Sequence, residues 1–152
     1  MKRKTVLKEA KEKLDGIRKL LAKGNGYSKP LLTQLDLIEY AAAGQWDKFT
    51  TRIDAVSNDN DFSSKNYFII GAANDVVSTA PAVQYPNALK WASQIEKSNP
   101  DLFTRIQLAD LKKRIFKKQG KTAEAEVMAS KAQDLRKEAM QKGQMTPPMM
   151  KD

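Results

Sequence analysis

The chain has 152 residues, of which 41% are hydrophobic and 30% charged, a composition typical of a globular domain or a short array of small repeats. It contains no cysteine and no histidine, which excludes disulfides, thiol chemistry, His/Cys metal sites and imidazole-based acid–base catalysis. The formal net charge is +9. Residues 1–23 carry nine basic and three acidic groups, residues 24–111 seven and ten, and residues 112–142 ten and four. The positive charge is therefore concentrated in two segments near the ends.

The sequence gives no sign of a membrane-spanning segment. No apolar run approaches the length of a span, and charged residues follow the basic start where a signal peptide needs an apolar stretch. For the sequence as given we expect a cytoplasmic protein. A periplasmic or exported location applies if the sequence is a fragment of a longer chain.

Apolar residues recur at three- and four-residue steps along the chain, which predicts helices throughout. The first helix is predicted at 4–22. Three helix pairs follow at 31–57, 62–98 and 101–141, and a flexible tail at 143–152. Residues 1–142 are expected to form a single helical repeat domain. Phe68-Ile69-Ile70 would also suit a strand, but no partner strand is evident, so the predicted fold class is all-α.

The predicted breaks inside the pairs fall near Gly44, Val83 and Gly120, at intervals of 39 and 37 residues. A recurring unit of two helices and a tight turn is typical of a helical repeat array. One helix pair cannot cover its own apolar face, so neighbouring pairs stack and share a core.

The residues around these breaks resemble tetratricopeptide repeats. The last unit is the most similar, with Phe116, Gly120, Ala125, Ala132 and Leu135 at positions of the family's aromatic, turn glycine, small and apolar residues. The middle unit has Tyr85, Ala88, Trp91 and Pro100, and the first has Tyr40, Gly44 and Trp46. The resemblance covers roughly residues 31–142.

The sequence departs from the family pattern at several positions. The Leu-Gly pair of each first helix is missing, and Lys112-Lys113 stand in that region of the last unit. Val83 replaces the turn glycine of the middle unit, and Phe49 replaces an alanine of the first. The resemblance implies a right-handed array of antiparallel helix pairs, about three pairs plus an N-terminal helix. Another right-handed helical repeat or a bundle is the alternative.

Two short motifs suggest ligand sites but fit turns better. Gly120-Lys121-Thr122 ends like a phosphate-binding loop, yet the position that needs the first glycine is Ile115, inside a predicted helix. Asp59 and Asp61 begin like a calcium loop but lack its glycine and distal glutamate. No metal, cofactor or catalytic residue is predicted, and we expect a protein that is not an enzyme.

The stretch "LKKRIFKKQGK" is the best candidate for function, because six cations fall within about three helical turns. Such density neutralises phosphates or the carboxylates of an acidic peptide; a solvated helix face is the alternative. If the resemblance holds, the first helix of each pair lines a concave groove. The residues expected to bind a partner protein or acidic peptide there are Gln34, Ile38, Gln107, Asp110, Arg114, Lys117 and Lys118.

The function expected from the sequence is that of a non-catalytic protein–protein interaction module or scaffold. Two alternatives stay open. One is a basic nucleic-acid-associated helical protein, favoured by the charge but not by the few aromatics available for base stacking. The other is a helical accessory segment of a larger protein, exported or thioredoxin-like.

Overall fold

The computed structural model describes residues 2–22 and 28–143. Those residues form seven α-helices and one short 3₁₀ turn, with no strand among them. The helices are α1 (Lys2–Ala22), α2 (Ser28–Ala42), α3 (Trp46–Ser57), α4 (Lys65–Thr79), α5 (Tyr85–Lys97), α6 (Leu102–Lys118) and α7 (Thr122–Gln141), and the 3₁₀ turn is Ala82–Gln84. The all-α prediction is confirmed, and Phe68–Ile70 lie inside α4.

The chain divides into two compact units, Met1–Lys65 and Asn66–Asp152. The first contains α1 to α3 and the second contains α4 to α7. That residues 1–142 act as a single domain stays a prediction. The segment between the predicted helices at 4–22 and 31–57, and the predicted tail at 143–152, lie largely outside the described residues.

In the first unit a glycine turn joins α2 to α3. Gly44 has φ +69°, a conformation that glycine adopts without steric cost, and the N–H of Gln45 donates to the carbonyl of Tyr40 at 2.8 Å. The rings of Trp46 and Phe49 then meet at 5.0 Å in a tilted arrangement. Phe49 and Ile53 are fully buried, so the apolar side of α3 supplies much of this unit's core.

Ion pairs connect the three helices of the first unit. The guanidinium of Arg18 on α1 lies 2.9 Å from Asp36 and 3.0 Å from Glu39, both on α2. Asp36 also lies 3.5 Å from the guanidinium of Arg52 on α3. Arg52 donates to the hydroxyl of Thr33, which is itself almost completely buried. Residues 18 and 36–39 therefore fix where α1 lies along α2.

In the second unit α6 and α7 pack closely as an antiparallel pair. Gly120, with φ +72°, forms the turn between them, and the N–H of Lys121 donates to the carbonyl of Phe116 at 2.9 Å. Small side chains let the two helices approach. The buried cluster consists of Leu102, Ile106, Ala109, Ala132, Leu135 and Ala139. The glycine of Gly120-Lys121-Thr122 thus lies in a helix–helix turn.

The connection between α4 and α5 has no glycine. Pro81 is extended, the 3₁₀ turn follows, and Val83 within it is 75% exposed. On α5, Ala88 and Trp91 are completely buried, as are Val76 and Val77 on α4. These four side chains belong to the buried core of the second unit.

Candidate binding surface of the second unit

The seven residues predicted to bind a partner are divided between the two units. Gln34 and Ile38 lie on α2, where Gln34 is exposed and Ile38 is 46% exposed. The other five lie on α6 in the second unit.

The residues predicted on α6 share one side of the helix. Gln107, Asp110, Arg114 and Lys117 follow one another at steps of three and four residues, the spacing of a single helical face. Phe103, one turn before Gln107, extends this face and is 62% exposed. The face is therefore apolar near the start of α6 and cationic near its end.

Arg114 and Lys118 are held against α4 by neutral oxygen atoms. The guanidinium of Arg114 donates to the side-chain oxygen of Asn74 and, at 3.0 Å, to the hydroxyl of Ser78. The ammonium of Lys118 donates to the main-chain carbonyl of Val77. These bonds place α4 beside α6 and fix both cations, but they add no negative charge to neutralise them.

Other cations of the second unit do have carboxylate partners. Lys112 lies 2.8 Å from Glu96 on α5, and Arg136 on α7 binds Asp110. Asp110 is thus paired within the unit, although it was predicted to face a partner. Within the part of the chain that the structure describes, the contacts of Arg114 and Lys118 are with neutral groups alone. The exposed Lys117 lies beside them, so positive charge accumulates at this end of α6.

The sequence analysis did not identify the contribution of α4 to this surface. Tyr67, Gly71, Asn74 and Ser78 recur at steps of three and four, so they occupy one face of α4, the face that meets Arg114. Tyr67 is 77% exposed. We call the exposed side of α4 and α6 the α4–α6 surface; its residues are Tyr67, Gly71, Asn74, Ser78, Phe103, Gln107, Arg114, Lys117 and Lys118.

Gly71 leaves a notch in the α4–α6 surface. A methyl group at this position would meet no heavy atom within 4 Å, so packing within the chain does not require a glycine there. Glycine in the middle of a helix costs about 1 kcal/mol relative to alanine. The glycine inside an otherwise apolar helical run was the sequence signal that could have identified this face.

Partial burial raises the pKa of Asp75 on α4, but no histidine or cysteine exists in the chain to act with it. Among the described residues, no group of three acidic side chains is placed to hold a metal ion. The absence of catalysis and of cofactors stays a prediction.

Comparison with known proteins finds no family model that matches the chain, and no curated protein or solved structure with significant similarity to it. Of the helices that the structure describes, none combines the length and the apolar character that crossing a bilayer requires.

Proposed function

We propose that the chain is a non-catalytic interaction module whose second unit binds an acidic peptide segment of a partner protein on the α4–α6 surface. The proposal includes a tetratricopeptide-like arrangement, a right-handed array of antiparallel helix pairs. The alanine-mediated packing of α6 on α7 and the glycine turns at 44 and 120 support that arrangement.

The observation that carries the proposal is the state of the cations on α6. Arg114 and Lys118 are fixed in place by Asn74, Ser78 and the Val77 carbonyl, so their positions are defined, while no carboxylate of the described residues is paired with either of them. A carboxylate arriving at this site gains charge-assisted hydrogen bonds from groups that are already oriented. The guanidinium of Arg114 has five N–H donors, more than its two contacts with α4 use.

The other end of the α4–α6 surface suits an apolar side chain. Tyr67 and Phe103 are both largely exposed, and aromatic side chains are enriched where proteins bind partners. The notch at Gly71 lies between Tyr67 and the polar residues Asn74 and Ser78, where a peptide backbone can approach α4 closely. The expected ligand therefore carries an apolar residue and several carboxylates.

Titration with a fluorescently labelled peptide tests this proposal. The probe is a synthetic peptide with one tryptophan followed by four glutamates, and anisotropy reports binding. Lys117→Glu should weaken binding about tenfold or more, because it replaces attraction with repulsion at an exposed position. Lys137→Glu makes the same charge change at an exposed position of α7 and should have little effect. Equal losses in the two variants would refute a localised site.

Nucleic-acid binding is the second candidate, favoured by the net charge of +9 and by the ten basic residues in 112–142. Its signature is an affinity for duplex or single-stranded DNA that falls steeply with salt concentration. Absence of binding at low salt would exclude this function and leave the peptide proposal intact.

A further inference from the structure

The first unit exposes a group of large apolar side chains along the line where α1 meets α2. Ile17 is 44% and Leu20 73% exposed on α1, and Leu31 is 54% and Ile38 46% exposed on α2. Single exposed apolar residues are common on protein surfaces and need no explanation. Four exposed apolar residues on two adjoining helices do require an explanation.

The contacts between α1 and α2 show how the two helices are aligned. Arg18 pairs with Asp36 and Glu39, whereas Ala10 and Leu14, earlier on α1, line one cavity with Ala42 and Ala43. The helices are therefore antiparallel. Measured along the helix axes, this register places Ile17 level with Ile38, and Leu20 between Ile38 and Leu31.

A cavity of about 470 Å³ continues the apolar line toward the end of α2. Ile38 belongs both to the exposed group and to the cavity wall, so the two features are continuous. The residues that line it are Ala10, Lys11, Leu14, Ile38, Glu39, Tyr40, Ala42, Ala43 and Gln45. We call the exposed group and the cavity together the α1–α2 groove.

The dimensions of the groove match a short helix. From Leu31 to Ala43 the groove follows α2 for about 18 Å, at about 1.5 Å per residue. That length accommodates about three turns of a second helix, which brings two or three apolar side chains to one face at steps of three and four. A side chain entering the cavity fills space that the chain itself leaves empty.

Charge indicates the chemistry of the occupant. Residues 1–23 carry nine basic and three acidic groups, and Lys8, Lys11, Lys13 and Lys19 on α1 are exposed. A second copy of the chain would bring two such segments together, so repulsion disfavours a homodimer through this groove. A flat lipid surface suits a helix whose whole apolar face is turned outward. Ala10 and Leu14 of α1 instead face α2 across the cavity, so the groove fits a membrane surface poorly.

We infer that the α1–α2 groove binds an amphipathic helix of a partner protein, with leucine-like side chains on one face and acidic residues along its flanks. This inference goes beyond the proposed function of the second unit and does not rest on it. The groove contains Ile38, so it gives this residue, which was predicted from the sequence to bind a partner, an apolar role.

The test uses the full chain and a synthetic peptide helix of about 14 residues, with leucines at steps of three and four and glutamates at its flanks. Anisotropy of the labelled peptide measures affinity. Leu20→Glu and Ile38→Glu should each weaken binding about tenfold or more, because each places a carboxylate where a leucine docks. Both positions are substantially exposed, so the variants should fold. Val127→Glu, at a 61% exposed position of α7, is the matched control and should bind normally.

Three results would overturn the inference: unchanged affinity in Leu20→Glu, no binding of the leucine peptide by the unaltered chain, or equal binding of a peptide with the same composition in scrambled order. Binding to phosphatidylserine vesicles that Leu20→Glu abolishes, without peptide binding, would assign the groove to a membrane. Concentration-dependent dimerisation that Leu20→Glu abolishes would assign it to a second copy. Lys117→Glu should not affect binding of the leucine peptide, which separates this test from that of the second unit.

Discussion

The ammonium group of Lys118 on α6 donates a hydrogen bond to the main-chain carbonyl of Val77, in the last turn of α4. Carbonyls of a last turn have no partner within their own helix, and they carry the negative end of the helix dipole. Lys118 therefore caps a helix other than its own, and joins the end of α4 to the end of α6.

Replacing Lys118 by methionine should lower the free energy of unfolding by about 0.5–1 kcal/mol, because the carbonyl of Val77 loses its charged donor. Urea denaturation followed by circular dichroism measures the change. Lys117→Met removes an exposed neighbouring charge and should leave stability within about 0.5 kcal/mol of the original. Similar losses in both variants would show that the contact with α4 contributes nothing specific.

Gly71 and Gly120 should respond to alanine in opposite ways. Gly71 is helical and its missing methyl group would meet nothing, so Gly71→Ala should raise the free energy of unfolding by up to about 1 kcal/mol. Gly120 has φ +72°, so Gly120→Ala should lower it by about 1 kcal/mol or more. Thermal unfolding of the two variants measures whether stability rises in Gly71→Ala and falls in Gly120→Ala.

The proposed function adds a second expectation for Gly71→Ala. The added methyl group fills the notch, so the variant should bind the tryptophan–glutamate peptide more weakly than the original chain while being more stable. Loss of affinity together with loss of stability would instead show that the glycine serves the fold.

Asp101 caps the start of α6. Its carboxylate accepts a hydrogen bond from the N–H of Thr104 at 2.8 Å. The hydroxyl of Thr104, followed by this N–H, holds the pKa of Asp101 below its ordinary value. Asp101→Ala should cost about 1 kcal/mol of stability at neutral pH.

The pH dependence of this cap follows from the direction of its shift. A carboxyl with a lowered pKa in the folded state stabilises the fold above its unfolded pKa, and that contribution is lost as the pH falls through the folded value. The difference in the free energy of unfolding between the original chain and Asp101→Ala should therefore shrink below about pH 4. Asp101→Asn should retain most of the cap and lose this pH dependence. A difference that stays constant with pH would argue against a charged cap.

Asp75 should show the opposite dependence. Burial raises its pKa, because the charged form loses hydration on α4. A group with a raised pKa favours the fold at low pH, and this contribution declines as the pH rises through the folded value. Asp75→Asn should therefore have a higher Tm than the original chain at pH 7, with the two converging below about pH 4. Thermal unfolding of both proteins across that pH range tests this prediction.

The helices and their turns were predictable because their signals are local. The apolar period of 3.6 residues is visible within each helix, and glycines at 44 and 120 mark backbone conformations that other residues avoid. The partners of Arg114 were not predictable in this way. Asn74 and Ser78 lie 40 and 36 residues earlier, and only the packing of α4 beside α6 brings them together.

The same limit applies to the candidate surface. The sequence identified the cations of α6, but it could not distinguish Lys112, which pairs with Glu96, from Arg114 and Lys118, which bind neutral oxygens. It placed Asp110 among the partner-binding residues, which stays a prediction, and it could not show that Arg136 of α7 binds the carboxylate of Asp110. Charge density is a property of sequence, and charge compensation is a property of the folded chain.

The hydrogen bonds from Arg114 and Lys118 to α4 also affect the entropy of binding. A long cationic side chain at a surface usually loses rotamer freedom when a ligand arrives, at about 0.5–1.5 kcal/mol for each chain immobilised. Here folding has already restricted both side chains, so an incoming carboxylate should immobilise little that still moves. Affinity at this site should then depend less on how many cations the surface carries than on how firmly Asn74, Ser78 and Val77 hold these two.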